Sequence, residues 1–185
     1  EEVRKHRAIQ REGRQRHQWP VVAIVGYTNA GKSSLLNRLT DAGVLAEDKL
    51  FATLDPTTRQ YVLPNKLKVL FTDTVGFIRK LPHTVIESFK ATLEELKSAD
   101  LLVHVVDVSH PQYEEQIAAT EEVIKELDAS GKHTLLVFNK VDRVENAEAI
   151  RAALLRHPHS VAVSVKTGEN ITDFVEELQN QLSAW

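Results

Sequence analysis

Apolar and polar positions change period several times along the 185 residues. Val21 to Val25 is a short β-branched run, the pattern of a strand covered on both faces. A glycine-bearing loop follows, then helical spacing from about Lys32 to Ala42. Residues 43 to 58 show no clear period and read as a long loop. Arg59 to Leu63 and Lys68 to Phe71 are predicted to be a strand pair turning at Pro64-Asn65. Thr84 to Ala99 has helical spacing through Val85, Phe89, Leu93 and Leu96. Leu101 to Val106 reads as a buried strand, and Tyr113 to Leu127 as a helix with Ile117, Val123, Ile124 and Leu127 inward. Leu135 to Phe138 is a further strand, Ala147 to Arg156 a helix, Val161 to Val163 a short strand and Ile171 to Leu182 a closing helix. This alternation predicts an α/β domain: a mostly parallel six-stranded sheet with helices on both faces. Ligands in such folds bind beyond the carboxyl ends of the strands.

Residues 1 to 18 stand outside this alternation. They are polar, with Val3, Ala8 and Ile9 as scattered apolar positions, and Trp19-Pro20 ends them. The expected organisation is therefore a basic linker, the end of an upstream helix, over 1–18 and one compact domain over 19–185. A chain without methionine that begins at Glu1 is read as an excised part of something longer. Six Lys/Arg and three acids give the first 18 residues a net +3, which leaves −6 for the rest of a chain whose total is −3. An acidic body argues against general nucleic-acid binding by the domain itself. The basic lead-in is of a kind that touches RNA, but a solvated helix or linker is the plainer reading. No run of about 18 apolar residues indicates a membrane span, and no signal-peptide pattern opens the chain. There are no cysteines, which excludes disulfides and thiolate metal sites and is compatible with a cytoplasmic location. A monomer is expected.

Four motifs carry chemistry. Gly26-Tyr27-Thr28-Asn29-Ala30-Gly31-Lys32-Ser33 matches G-x-x-x-x-G-K-[ST] between a strand and a helix. Its glycines let backbone N–H groups curl toward phosphates, and the helix N-terminus adds partial positive charge. Lys32 is placed to reach the β- and γ-phosphates, and the Ser33 hydroxyl to bind Mg²⁺. Asp73-Thr74-Val75-Gly76 ends a strand about 40 residues later; Asp73 fits the carboxylate that holds Mg²⁺ through water, and the Gly76 N–H a γ-phosphate donor. Asn139-Lys140-Val141-Asp142 decides the base. The Asp142 carboxylate can accept both the N1–H and the 2-amino hydrogens of guanine, a pair of donors adenine lacks; the competing reading is a helix N-cap. Ser164-Val165-Lys166 is the companion, its backbone supporting guanine O6 and Lys166 flanking the ring. Together these imply a P-loop NTPase with a Ras-like G domain, with GTP and GDP as substrate and product. The loop between the first two motifs should hold a threonine that closes on Mg²⁺; Thr53, Thr57 and Thr58 are candidates, and spacing does not choose.

The phosphate loop, Phe51-Ala52-Thr53-Leu54-Asp55-Pro56-Thr57, and Asp73-Thr74-Val75-Gly76-Phe77-Ile78-Arg79-Lys80-Leu81-Pro82-His83 resemble the HflX family of translational GTPases over about residues 20 to 182. The resemblance implies that Phe51 to Asp55 is the effector loop and Thr53 the Mg²⁺ threonine; a similar Phe-Thr-Thr pattern in the Obg group supports Thr53 over Thr57. It also implies a partner, the large ribosomal subunit, and a role in splitting or rescuing stalled ribosomes through a full-length protein whose amino-terminal domain this chain lacks.

Phe77 stands where Ras-like enzymes carry the glutamine that orients the attacking water, so intrinsic turnover is expected to be slow, on the order of 10⁻⁴ s⁻¹ or below. Asn29 has two readings. Resemblance to other GTPases at the phosphate loop implies a potassium ligand that offsets developing charge; alternatively the asparagine only eases a tight turn. Lys32, Thr53, Gly76 and Asn29 are thus the candidate catalytic residues. His157-Pro158-His159 is a poor metal candidate, and Asp107 is expected to cap or pack locally. Two other functions compete with a slow ribosome-linked GTPase: a non-catalytic GTP sensor and an RNA-binding module driven by the basic lead-in.

Overall fold

The computed structural model describes residues 19–27, 29–40, 57–73, 95–126 and 131–183. Among the described residues, six strands form one sheet in the order β2-β3-β1-β4-β5-β6, with β1 Val21–Gly26, β2 Thr57–Val62, β3 Lys68–Asp73, β4 Leu101–Asp107, β5 Thr134–Asn139 and β6 Ser160–Ala162. Only β2 runs antiparallel, against β3; the other neighbours are parallel. The helices are α1 Lys32–Thr40, a short α2 Glu95–Ser98, α3 Tyr113–Glu126, α4 Ala147–Arg156 and α5 Ile171–Gln181, with a 3-10 turn at Val141–Arg143.

The strand residues are apolar on both faces because both faces are covered. On one face Val22, Ile24, Val103, Val105, Leu135 and Val137 pack with Leu35 and Leu36 of α1 and with Phe174, Val175 and Leu178 of α5. On the other, Val21, Ala23, Val25 and Leu102 meet Leu96 and Ile124, while Val106, Leu136 and Phe138 meet Ile117 and Ala153. Side chains alternate across a strand, so each of β1, β4 and β5 feeds both cores. Asn146 caps α4 by accepting the Glu148 N–H at 3.0 Å.

The predicted fold class is the observed one. Differences lie at element ends. Residues 57 and 58, read as loop, begin β2, because Thr57 and Thr58 pair with Asp73 and Thr72 across the antiparallel ladder. The inner face of α3 includes Thr120 as well as Ile117 and Ile124, and Val123 is only partly buried. β6 covers Ser160–Ala162, one residue earlier than the pattern suggested. The linker 1–18, the first part of the helix expected from Thr84, and Leu127 lie outside the described residues.

Candidate phosphate and guanine site

Three parallel strands deliver the site. β1 ends at Gly26, β4 at Asp107 and β5 at Asn139, and the register Gly26↔Val105 and Asp107↔Asn139 sets these carboxyl ends side by side. Beyond β1 the chain must turn sharply over β4. Gly26 has φ 153, and a Cβ there would stand 2.4 Å from the Val105 carbonyl oxygen. Asn29 adopts φ 68, a conformation asparagine tolerates better than most residues. Gly31 has φ 106, and a Cβ would come 2.3 Å from Asn139 Nδ2. Both glycines are therefore required by close approach.

The loop runs straight into α1. The Leu35 N–H bonds the Gly31 carbonyl at 2.9 Å, so the helix starts at Lys32 and its first-turn N–H groups lie at the end of the phosphate loop. Lys32 is buried, and its Cδ lies 3.6 Å from a Cβ built at Gly26, so its stem folds back over the loop. Ser33 sits half-buried in the same first turn. Asp73 is the last residue of β3 and its Cα pairs with Ile24, one strand over from the loop. The Ser33 hydroxyl is a hard oxygen donor suited to Mg²⁺, which takes one or two protein ligands and completes its shell with phosphate and water. Among the described residues no group of three or more His, Asp or Glu is placed to hold a metal ion.

Asn139, at the end of β5, is buried at 3% exposure and joins both halves of the site. Its Nδ2 donates to the Ala30 carbonyl of the phosphate loop at 2.9 Å. Its Oδ1 accepts the Val165 N–H at 3.0 Å. Lys140 follows with φ 67 and donates from Nζ to the Asn29 carbonyl at 2.7 Å. The same ammonium pairs with Asp107 Oδ2 at 3.3 Å. Asp107 also accepts the Ser109 N–H at 3.0 Å, so it packs locally as expected and in addition holds a residue of the third motif.

Asp142 is exposed, with Oδ1 accepting the Ser164 hydroxyl at 2.7 Å. That hydrogen bond is the main reason its carboxyl lies below the ordinary aspartate range. The N-cap of the Val141–Arg143 turn is Lys140, so the capping alternative for Asp142 fails. A carboxylate oxygen has room for more than one donor, so the Ser164 bond orients Asp142 without using it up. Lys166 is exposed beside this loop, whereas Ser164 and Val165 are buried.

A family model described as "50S ribosome-binding GTPase" matches residues 21–140. The GTPase HflX of Lacrimispora saccharolytica is 52% identical over 182 residues, covering 98% of this chain and 43% of that protein. The chain belongs to the 50S ribosome-binding GTPases, and within them to the HflX type. Curated HflX relatives are matched over only 34–44% of their length, so this GTPase domain is a part of what they contain. Among solved structures, a GTP-binding protein from Sulfolobus solfataricus in complex with GDP aligns with a TM-score of 0.74 at 27% identity, covering 89% of this chain and 53% of that one. Era in complex with MgGDPNP and nucleotides 1506–1542 of 16S ribosomal RNA aligns at 0.70 and 27% identity, covering 88% and 56%.

In this HflX-type domain the structure brings together Gly26, Tyr27, Asn29, Ala30, Gly31, Lys32, Ser33, Asn139, Lys140, Val141, Asp142, Ser164, Val165 and Lys166 at one end of the sheet. Thr28, Phe51 to Asp55, Thr74, Val75, Gly76 and Phe77 lie outside the described residues. Motif reading missed two groups. One is the Ser164 hydroxyl on Asp142. The other is Arg38, whose guanidinium reaches residues more than 120 positions away and has no local signature.

Proposed function

We propose that this domain is a Mg²⁺-dependent, slow GTPase acting as the switch of a larger, cytoplasmic protein that works on the large ribosomal subunit. The observation that carries the reading is the Asn139 side chain. It ties the phosphate loop at Ala30 to the base-side loop at Val165, so one buried amide registers both ends of a nucleotide. In this reading the loop amides and Lys32 bind the β- and γ-phosphates. Ser33, Asp73 and Thr53 hold Mg²⁺, which supplies charge neutralisation at the phosphates. The Gly76 N–H contacts the γ-phosphate, and Phe51 to Asp55 with Thr74 and Val75 form the parts that respond to it. Asp142 reads guanine N1–H and the 2-amino group, and Ser164 to Lys166 support O6.

Slow turnover follows from Phe77, whose ring cannot orient water as a glutamine does. Potassium near Asn29 accelerates the reaction in this reading, although the positive φ of Asn29 equally suits a turn residue. Residues 1–18 serve as the end of a linker from an upstream ribosome-binding part, and the domain itself is a monomer. The family description and the ligands bound in the structural neighbours support the nucleotide and ribosome assignments.

The test is single-turnover GTP hydrolysis with potassium or sodium at matched ionic strength, with and without large ribosomal subunits. Stimulation by subunits is expected in either salt, with faster turnover in potassium. Equal rates in the two salts remove the potassium role. Rates indifferent to subunits, measured on a chain that includes the upstream part, remove the ribosomal one.

A further inference from the structure

Arg38 lies in the last full turn of α1, the helix opened by the phosphate loop, yet its guanidinium faces the base-side loop. Nε donates to the Val165 carbonyl at 2.5 Å and Nη2 to the Lys166 carbonyl at 3.1 Å. A planar fork suits two successive carbonyls better than an ammonium would. The chain makes room for it: Gly168 has φ 85, and a Cβ there would press to 3.1 Å from Arg38 Nη1. The loop is thus held from two sides, by Asn139 on the Val165 N–H and by Arg38 on the carbonyls of Val165 and Lys166.

A trans peptide is planar, with its C=O and the following N–H pointing in opposite directions. Turning the Val165 carbonyl toward Arg38 therefore turns the Lys166 N–H away from Arg38, and fixing the Lys166 carbonyl does the same for the Thr167 N–H. The Thr167 N–H is taken by the Ser164 hydroxyl at 3.2 Å, the hydroxyl that also orients Asp142. We propose that Arg38 is a positioning residue for guanine recognition, setting the Val165–Lys166 peptide plane so that the Lys166 N–H faces guanine O6. The inference rests on the reading of Ser164-Val165-Lys166 as the O6 support. It makes α1 a strut from the phosphate end of the site to the base end.

The experiment is a cycle between protein and nucleotide. Dissociation constants of the 185-residue chain and its R38A variant are measured for guanosine, 6-thioguanosine and inosine diphosphates. The thio analogue replaces O6 by sulfur, a weak acceptor, and keeps the N1–H and the 2-amino group; inosine keeps O6 and loses the 2-amino group. Wild type should bind the thio analogue more weakly than GDP. R38A should weaken GDP about tenfold, the scale of one charge-assisted hydrogen bond near the surface. It should weaken the thio analogue far less, so that the preference for O6 shrinks, while the preference for GDP over inosine diphosphate stays unchanged. R38K, a point donor in place of a fork, should fall between, and it carries the test together with Gly168→Ala if R38A does not fold. An equal loss for all three nucleotides, or no loss, overturns the positioning role. Wild type that binds GDP and the thio analogue alike overturns the O6 reading itself, and the Arg38 proposal with it.

Discussion

Asn139→Asp separates a residue that builds the site from one that only touches its ligand. The two side chains have nearly the same shape, so the exchange opens no cavity. Asp keeps an oxygen for the Val165 N–H but places a second oxygen where Nδ2 now meets the Ala30 carbonyl at 2.9 Å. The position is 3% exposed and Ala30 2%, so water is poorly placed to replace the lost donor. Leaving a buried carbonyl unsatisfied costs about 1–3 kcal/mol, and an acceptor-to-acceptor contact adds to that. A total of roughly 3 kcal/mol is expected, or a melting temperature lower by roughly 6–12 °C in a domain of this size. Urea unfolding and thermal melts of the nucleotide-free protein measure it, with Asn139→Ala as a companion that removes both bonds. A nucleotide-free variant as stable as wild type, with only GDP affinity reduced, would refute the reasoning, because Asn139 would then act on the ligand alone.

Asp142→Asn should weaken GTP by roughly 2–4 kcal/mol and shift preference toward xanthosine triphosphate, since an amide donates where the carboxylate only accepts; unchanged GTP affinity in competition binding sinks the base assignment. Gly26→Ala forces a methyl to 2.4 Å from the Val105 carbonyl oxygen, so a loss of about 1–3 kcal/mol is expected in equilibrium unfolding, together with weaker phosphate binding. His104 is buried on β4 with its pKa lowered to about 3, first by burial and then by the charges of His157 and Lys32. Its folded pKa lies below the unfolded value of 6.5, so the unfolded chain binds the extra proton between those limits. Stability from this group is complete above pH 6.5 and falls by about 1.4 kcal/mol per unit as pH drops toward 3. Unfolding measured from pH 7 to pH 4.5 should show that slope, and a His104→Phe variant that keeps the whole slope would assign it elsewhere.

Much of this protein was written locally. The β-branched runs of β1, β4 and β5 predict buried parallel strands because a strand covered on both faces must be apolar at every position. The phosphate loop is legible because backbone curvature demands glycine at Gly26 and Gly31, and because a strand before it and a helix after it are local patterns. The Asn139-Lys140-Val141-Asp142 run is legible because the proposed hydrogen-bond complementarity to guanine rests on those side chains at that spacing. What the tertiary structure decided is how these pieces hold each other. Asn139 bridging Ala30 and Val165, Lys140 between Asn29 and Asp107, Ser164 on Asp142 and Arg38 on Val165 all depend on the alignment of strand ends far apart in the chain. Local periodicity reports which side of an element meets water. It carries nothing about which distant carbonyl a polar side chain on that element will find, and β2 beginning at Thr57 shows the same limit, since only pairing with β3 makes those two threonines a strand.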